Sequence, residues 1–314
     1  MKKLFALFLS ALLIFCGCGT TENNHRGIGE EGFPYTFTDS IGNEITLRKK
    51  PENTAVLFSS YAEIWKLSGG EIKISVGDSV KRGFADGSCI LVNDGAGLKI
   101  DTEALLASQS DFVIVTADFR AQNDLCELLN GMGIPCAAFK EESFRDYLKI
   151  LDIFTDINGN KELYTEYGEN VRQEIENIKA DLPSTDKEIK YLFIRAGSGF
   201  SSTKRRTREN HFACKIMDEI GAKNIADGIG ALSDSISLEE ILKNQPDLIV
   251  IVPQGDETAS KNYVKELFSQ DGWKDLNAVK DGKYYFVDKE LFNYKPNRRW
   301  PESYRTLVKL VYGE

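Results

Sequence analysis

A block of sequence that occurs twice constrains the fold of this chain more than any other feature. Residues 101–115 read DTEALLASQSDFVIV, and residues 237–251 read SLEEILKNQPDLIVI. Asp101 and Ser237 are good helix N-caps, and in each copy a helical pattern precedes an apolar run typical of a buried strand. The copies match at Glu103 and Glu239, Leu106 and Leu242, Gln109 and Gln245, and Asp111 and Asp247. Such a repeat predicts two lobes of one architecture.

Short apolar runs alternate with helical patterns throughout the chain, which is typical of mostly parallel sheets covered by helices. We therefore predict an α/β fold of two similar lobes, joined by one long helix, with a ligand cleft between the lobes. The predicted strands lie near residues 54–59, 74–78, 112–116 and 135–139 in the first lobe and near 189–195, 247–252 and 283–287 in the second.

A helical stretch separates the two lobes. Its apolar residues recur at steps of three and four, which predicts one buried face: Leu163, Tyr167, Val171, Ile175 and Ile178. A helix from about Lys161 to Leu182 would be roughly 30 Å long. The predicted domains are an N-terminal lobe over 35–142, a helical connector over 143–186 and a C-terminal lobe over 187–314.

The first residues have the pattern of an export signal. Lys2 and Lys3 precede an apolar run that is too short to span a bilayer comfortably and that ends in Phe15-Cys16-Gly17-Cys18. This ending resembles a bacterial lipobox. We expect residues 1–17 to be a signal peptide, Cys18 to carry the lipid anchor at the extracytoplasmic face of the cell membrane, and residues 18–34 to be a tether. Lipidation of Cys16 and a plain signal peptide are the alternatives.

Charge and composition exclude several classes of protein. The formal net charge is −9, and removal of Lys2 and Lys3 makes it more negative, so we expect no nucleic-acid partner. With only two histidines, His25 and His211, a metal site built on several imidazoles is excluded. The remaining cysteines have no metal-binding spacing, and a bond between Cys126 and Cys136 stays open.

Together these features resemble the substrate-binding lipoproteins of ABC importers for iron–siderophore, haem and cobalamin. The carriers of the resemblance are the lipobox, the two lobes, the connecting helix, the repeated block, and FNYKPNRRW over 292–300. The resemblance implies a monomeric binding protein without catalytic activity or a resident cofactor, which serves an ABC permease dimer with a separate ATPase. It also implies that Glu103 and Glu239 pair with arginines of the permease; Glu240 is an alternative in the second lobe, and a helix-capping role for these glutamates is the other interpretation.

We expect the ligand beyond the carboxyl ends of the strands, where open α/β sheets bind ligands. In this acidic chain the basic run Lys-Arg-Arg-Thr-Arg over 204–208 favours an anionic ferric chelate of the siderophore type. The predicted ligand-binding residues are Tyr61, Arg82, Phe119, Arg120, Phe200, Lys204, Arg205, Arg206, Arg208, Tyr294, Arg298 and Trp300.

Other interpretations of these residues remain. The basic run is also typical of a solvated loop, and the aromatic residues are also typical of a hydrophobic core. Cobalamin and haem are alternative ligands, and a sensory or adhesive lipoprotein of the same fold is an alternative function. A membrane-anchored hydrolase would use His211 with Ser201 or Ser202, but the nucleophile motif G-x-S-x-G does not occur.

Overall fold

The N-terminal lobe contains a hairpin and a parallel sheet. The computed structural model describes residues 32–227 and 238–313. The hairpin strands are β1 (Tyr35–Thr38) and β2 (Glu44–Leu47). A five-stranded parallel sheet follows, in the order β5-β4-β3-β6-β7. Its strands are β3 (Thr54–Val56), β4 (Ile74–Ser75), β5 (Ile90–Leu91), β6 (Phe112–Thr116) and β7 (Cys136–Phe139).

Five helices cover this sheet: α1 (Ser59–Leu67), α2 (Gly77–Lys81), α3 (Thr102–Ala107), α4 (Arg120–Gly131) and α5 (Phe144–Asn158). The core on one side of the sheet is aromatic. The Phe154 ring of α5 lies 5.2 Å from the Trp65 ring and 5.1 Å from the Phe139 ring, in edge-on contacts. Burial of such large rings is a main source of stability. The predicted connector over 143–186 therefore begins too early, because its first helix, α5, packs in the N-terminal lobe.

The connecting helix follows α5. It comprises α6 (Lys161–Tyr164), a π-helical turn (Thr165–Glu169) and α7 (Asn170–Ala180). Val171 and Ile175 of the predicted apolar face are buried. Just before the helix Asn160 donates to the Ser68 carbonyl group of the N-terminal lobe, and near its end Lys179 lies 3.5 Å from Glu219 of the C-terminal lobe. The predicted long helix between the lobes is confirmed, with a π turn as an added feature.

The C-terminal lobe repeats the plan with a second five-stranded sheet. Four parallel strands have the order β10-β8-β11-β12, and β9 pairs antiparallel with β8. The strands are β8 (Ile189–Ala196), β9 (Lys204–Arg206), β10 (Ala222–Asn224), β11 (Leu248–Pro253) and β12 (Tyr284–Phe286). The helices are α8 (Phe212–Glu219), α9 (Leu238–Asn244), α10 (Glu257–Ser269), α11 (Asn277–Lys280), α12 (Lys289–Phe292) and α13 (Trp300–Tyr312).

The repeated block has the same role in both lobes. Gln109 and Gln245 both adopt a left-handed backbone, with φ of 54° and 42°. The matched aspartates Asp111 and Asp247 each come just before a strand, β6 or β11, and link it to the neighbouring strand. Asp111 accepts the Asn53 amide beside β3 at 2.9 Å, and Asp247 accepts the Lys190 amide of β8 at 2.8 Å. The prediction of two similar lobes is therefore confirmed.

The first two strands are shorter than predicted because helices begin early. α1 begins at Ser59 and α2 at Gly77, inside the predicted strands 54–59 and 74–78. At Gly77 a Cβ atom would lie 2.1 Å from the Asp94 carbonyl oxygen, so this close backbone approach requires glycine.

Several predictions concern residues outside the described ranges: the signal peptide 1–17, Cys18, most of the tether 18–34, and the N-cap role of Ser237. Within residues 32–227 and 238–313, the helices are all too short or too polar to cross a bilayer.

Candidate functional site

A cavity of about 560 Å³ lies between the two lobes at the carboxyl ends of the strands. Phe58 follows β3, Asp118 follows β6 and Gln254 follows β11, so the cavity occupies the position where open α/β sheets bind ligands. The N-terminal wall consists of Phe58, Asp78, Ala96, Leu98, Asp118, Phe119 and Glu142. The C-terminal wall consists of Arg195, Arg206, Glu209, Asn210, His211, Phe212, Lys215, Gln254, Asn293, Tyr294 and Lys295.

A larger depression of about 690 Å³ lies on the N-terminal lobe alone, beside β1, β7 and α5. It draws on one lobe only and does not lie between the two sheets. The cleft between the lobes is therefore the candidate site.

Two arginines dominate the C-terminal wall. β8 and β9 are antiparallel with Phe193 opposite Arg206 and Arg195 opposite Lys204, so Arg195 and Arg206 share one face of the ribbon. The Arg195 guanidinium donates from Nε to Asn293 Oδ1 at 2.7 Å. Burial, and then the positive charge of Arg206, lower the pKa of Arg195. The wall thus concentrates positive charge at a partly desolvated place.

His211 lies in the C-terminal wall, and its pKa is lowered partly by the positive charge there. Its ring lies 4.7 Å from the Phe193 ring, and its Nδ1 atom accepts the Ala213 amide at 3.2 Å as the N-cap of α8. Burial, followed by the charges of Arg206, Arg195 and Lys295, lowers the pKa of His211 to about 3. A hydrolytic triad needs Nδ1 to donate to a carboxylate, and here Nδ1 accepts a backbone amide. This histidine is a neutral wall residue, which does not fit the hydrolase alternative.

The N-terminal wall is acidic and aromatic. Phe58 and Phe119 form an edge-on pair with ring centroids 5.7 Å apart. Of its carboxylates, Asp118 lies 3.7 Å from Lys295, and Glu142 lies 4.0 Å from Lys215. These ion pairs connect the two walls of the cleft.

Arg82 extends from the N-terminal lobe to Tyr294, a residue of the C-terminal wall. Its guanidinium lies 4.2 Å from the centroid of the Tyr294 ring and 4.7 Å from that of Phe84. It also lies 3.3 Å from Glu290 and donates to the Ser59 hydroxyl group at 3.0 Å. Arg82 therefore supports Tyr294 from behind and does not line the cleft, which corrects its predicted role as a ligand contact.

Two predicted aromatic contacts are wrong because the side chains belong to the core. Tyr61 is fully buried, and its hydroxyl group donates to the Phe139 carbonyl oxygen at 2.8 Å. Trp300 is also buried, with its ring 5.2 Å from that of Phe212 and 5.9 Å from that of Phe144. Neither ring is among the residues that line the cleft.

The basic run 204–208 is divided by its strand geometry. Alternation along β9 turns Arg206 toward the cleft and Arg205 into the protein, where Arg205 donates to the Ala226 carbonyl oxygen. Arg208 lies on the surface, 3.4 Å from Glu209 and 3.8 Å from Asp218. The predictions for Arg205 and Arg208 as ligand contacts are wrong, and Lys204 is also outside the cleft lining.

Three other predicted contacts also lie elsewhere. The Phe200 side chain is 64% exposed on a 3₁₀ turn. Arg120 projects into solvent with an ion pair to Asp124 at 3.9 Å, and Arg298 lines a separate pocket of about 340 Å³. None of the three is among the residues that line the cleft, so the structure does not bring them to the candidate site. Phe119, Arg206 and Tyr294 are the predicted ligand residues that the structure brings together.

The two predicted docking glutamates occupy equivalent exposed positions. Glu103 lies in the first turn of α3 and Glu239 in the first turn of α9. Asp101 caps α3 by accepting the Ala104 amide at 3.0 Å. Docking of both glutamates to a permease stays a prediction.

Known proteins resemble this chain over its whole length. It is 24% identical over 328 residues to an uncharacterised ABC transporter substrate-binding lipoprotein, YvrC, of Bacillus subtilis (strain 168), covering 100% of this chain and 99% of the relative. It is 23% identical over 325 residues to the Fe(3+)-citrate-binding protein YfmC of the same organism, covering 99% and 97%.

A solved periplasmic binding protein from Veillonella parvula DSM 2008 has a TM-score of 0.71 at 13% identity, covering 89% of this chain and 98% of that chain. This likeness shows a common fold. The sequence model of the periplasmic binding protein family matches residues 55–291, from β3 to α12 and thus across both walls of the cleft, and the chain therefore belongs to this family.

Proposed function

We propose that this protein captures an anionic ferric chelate in the cleft between its lobes and delivers it to an ABC permease. As a member of the periplasmic binding protein family with ABC transporter substrate-binding homologues, the chain is a substrate-binding protein. The observation that carries the choice of ligand is the C-terminal wall, where Arg195 and Arg206 stand side by side in a partly desolvated place.

An anionic chelate fits the chemistry of this wall. Guanidinium groups bind carboxylate and catecholate oxygens through charge-assisted hydrogen bonds. The Phe58–Phe119 pair and Tyr294 offer flat apolar contact to the organic part of a chelate. The relative named as an Fe(3+)-citrate-binding protein supports this ligand class, and ferric citrate is therefore the first probe to use.

Delivery requires an anchor and a docking surface. We infer that Cys18 carries the lipid at the extracytoplasmic face of the cell membrane, and that Glu103 and Glu239 pair with the two subunits of a permease dimer driven by a separate ATPase. Their equivalent positions in the repeated block support this pairing. Replacement of Cys18 by alanine tests the anchor, because the protein should then leave the membrane fraction.

The ligand is tested on protein purified from its own membranes. Mass spectrometry and the absorption spectrum of co-purifying material should reveal an anionic ferric chelate with carboxylate or catecholate groups. Haem or a corrinoid in the cleft would contradict the proposal. Of the two tyrosines among the predicted ligand-binding residues, Tyr61 lies in the core and Tyr294 lines the cleft.

A further inference from the structure

One edge of the Arg195 guanidinium is held by an asparagine of the same wall. Asn293 Oδ1 accepts a hydrogen bond from Arg195 Nε at 2.7 Å, and both residues line the cleft. The amide group of Asn293 can make this contact only through its oxygen, because its nitrogen would set one donor against another. Within residues 32–227 and 238–313, the terminal nitrogens Nη1 and Nη2 of Arg195 have no hydrogen-bond partner and no ion pair.

This contact opposes two tendencies of an arginine at this place. The strand fixes only where the side chain begins, and the rotatable bonds beyond that point leave it many conformations. Arg206 lies on the same face of the ribbon, and its like charge favours conformations of Arg195 that turn away from it. A neutral acceptor at Nε holds Arg195 in place without offsetting its charge, which a carboxylate there would do.

Asn293 is itself fixed by the helix before it. It directly follows α12, and its backbone amide donates to the Lys289 carbonyl oxygen at 2.9 Å. The preceding residue, Phe292, is fully buried, and its ring is nearly parallel to that of Phe212 with the centroids 6.3 Å apart. The backbone from which the Asn293 side chain projects is therefore anchored in the core of the C-terminal lobe.

The residues that follow Asn293 are anchored on the other lobe. Asn297 is fully buried, and its Nδ2 atom donates to the Ser60 carbonyl oxygen at 2.9 Å and to Glu63 Oε2 at 2.8 Å. Both acceptors belong to α1 of the N-terminal lobe. Asn293 thus lies between two fixed points, one in each lobe, and can hold Arg195 in one orientation.

The edge of a guanidinium that has no protein partner decides how it can bind a ligand. Two parallel hydrogen bonds to one carboxylate start either from Nε and a terminal nitrogen or from both terminal nitrogens. Because Asn293 occupies Nε of Arg195, only the terminal pair remains for such a contact. The arginine fork fits the two oxygen atoms of a carboxylate.

We propose that Asn293 is a positioning residue for Arg195: it holds Nε so that both terminal nitrogens are presented to a carboxylate group of the ligand. The carboxylate deepens the proposed function of the cleft and rests on it, whereas the orientation of Arg195 does not depend on any ligand. As a neutral acceptor, Asn293 leaves the positive charge of the wall undiminished.

The orientation is tested first, in the absence of ligand. The Nε–H group of Arg195 gives a proton–nitrogen NMR signal that is identified by its loss in Arg195→Met. We expect Asn293→Ala and the similarly shaped Asn293→Leu to speed exchange of this proton with water at least about tenfold, because a hydrogen bond protects it. Asn293→Asp keeps an acceptor and should leave the proton protected. Asn177→Ala, which removes an exposed asparagine of α7, is the control and should leave the signal unchanged.

Ferric citrate is the probe for the effect on affinity, measured by titration calorimetry. Asn293→Ala should weaken its binding about tenfold, the loss expected for one charge-assisted hydrogen bond. In an Arg195→Met background the same change should alter affinity less than about twofold, because no guanidinium is left to orient. Asn293→Asp should also weaken binding, since its negative charge offsets that of Arg195 although the orientation is kept. Thermal unfolding confirms that each variant is folded.

The outcomes distinguish the positioning of Arg195 from the proposed ligand. A Nε–H group that stays protected in folded Asn293→Ala and Asn293→Leu would show that Arg195 does not depend on this contact and would overturn the inference. An equal loss of affinity with and without Arg195 would show that Asn293 contacts the ligand directly, and would overturn it as well. If protection is lost in Asn293→Ala and kept in Asn293→Asp, but ferric citrate does not bind, the positioning role stands and the proposed ligand is rejected.

Discussion

The two lobes share one framework but present opposite charges to the cleft. The framework is repeated down to the left-handed glutamines and the strand-linking Asp111 and Asp247. The N-terminal wall nevertheless carries carboxylates and phenyl rings, whereas the C-terminal wall carries two arginines beside a neutral histidine. The charge that selects a ligand thus depends on residues at strand ends, outside the repeated block. Under the proposed function, the positive charge of the C-terminal wall is what binds the anionic chelate.

The largest effect is expected where the charge of the C-terminal wall is reversed. Arg195→Glu removes a charge-assisted contact worth about 1.5–3 kcal/mol and adds repulsion, so affinity for ferric citrate should fall at least about 100-fold. Arg120→Glu makes the same change in solvent on the N-terminal lobe and should leave affinity unchanged. Titration calorimetry of both variants measures this, and equal losses would remove the distinction between the two walls.

A second effect tests whether the framework is common to both lobes. Asp111→Ala and Asp247→Ala each remove a carboxylate that accepts a backbone amide at the same place in the repeat. Each should cost about 2 kcal/mol of unfolding free energy, since hydrogen bonds to charged groups contribute about 1.5–3 kcal/mol. Denaturant unfolding gives both values; a loss confined to one lobe would contradict the shared role.

A smaller effect is expected at Arg82, which joins the two lobes behind Tyr294. Loss of a cation–π contact of about 0.5–1 kcal/mol should weaken ferric citrate binding about two- to fivefold in Arg82→Gln. Arg82→Lys keeps the charge and should restore part of the affinity. A lysine variant no better than the glutamine variant would show that charge over the Tyr294 ring has no part in the site.

The smallest effect on affinity is expected at the matched glutamates. Glu103→Arg and Glu239→Arg change exposed helix turns away from the cleft, so binding of ferric citrate should stay within about twofold of the wild type. Uptake by cells should fall in both variants, because like charges would then meet at the permease. Normal uptake with normal binding would refute docking by these residues.

The framework was predictable from the sequence because repetition and hydrophobic periodicity report burial directly. The strand 112–116 and the long helix after residue 160 are confirmed for this reason. The walls were only partly predictable. An aromatic residue near a strand end is compatible with either core or cleft, and Tyr61 and Trp300 lie in the core.

The basic run 204–208 shows that a local sequence pattern does not reveal which side chains face the cleft. Only the pairing of β9 with β8 separates Arg206, in the cleft, from Arg205, which is buried behind it. Arg195 was missed although the sequence contained a signal: it is a lone arginine near the end of the otherwise largely apolar strand Ile189–Ala196. Each segment thus contributes one arginine to the cleft, and in both cases the strand pairing decides which side chain it is.

One titration decides between a charged and an uncharged ligand most directly. The dissociation constants of the purified protein for ferric citrate, haem and cyanocobalamin are measured by tryptophan quenching at low and at high salt. We expect ferric citrate to bind, with an affinity that falls as salt screens Arg195 and Arg206. Tight, salt-independent binding of cyanocobalamin without binding of ferric citrate would contradict an anion site in the C-terminal wall.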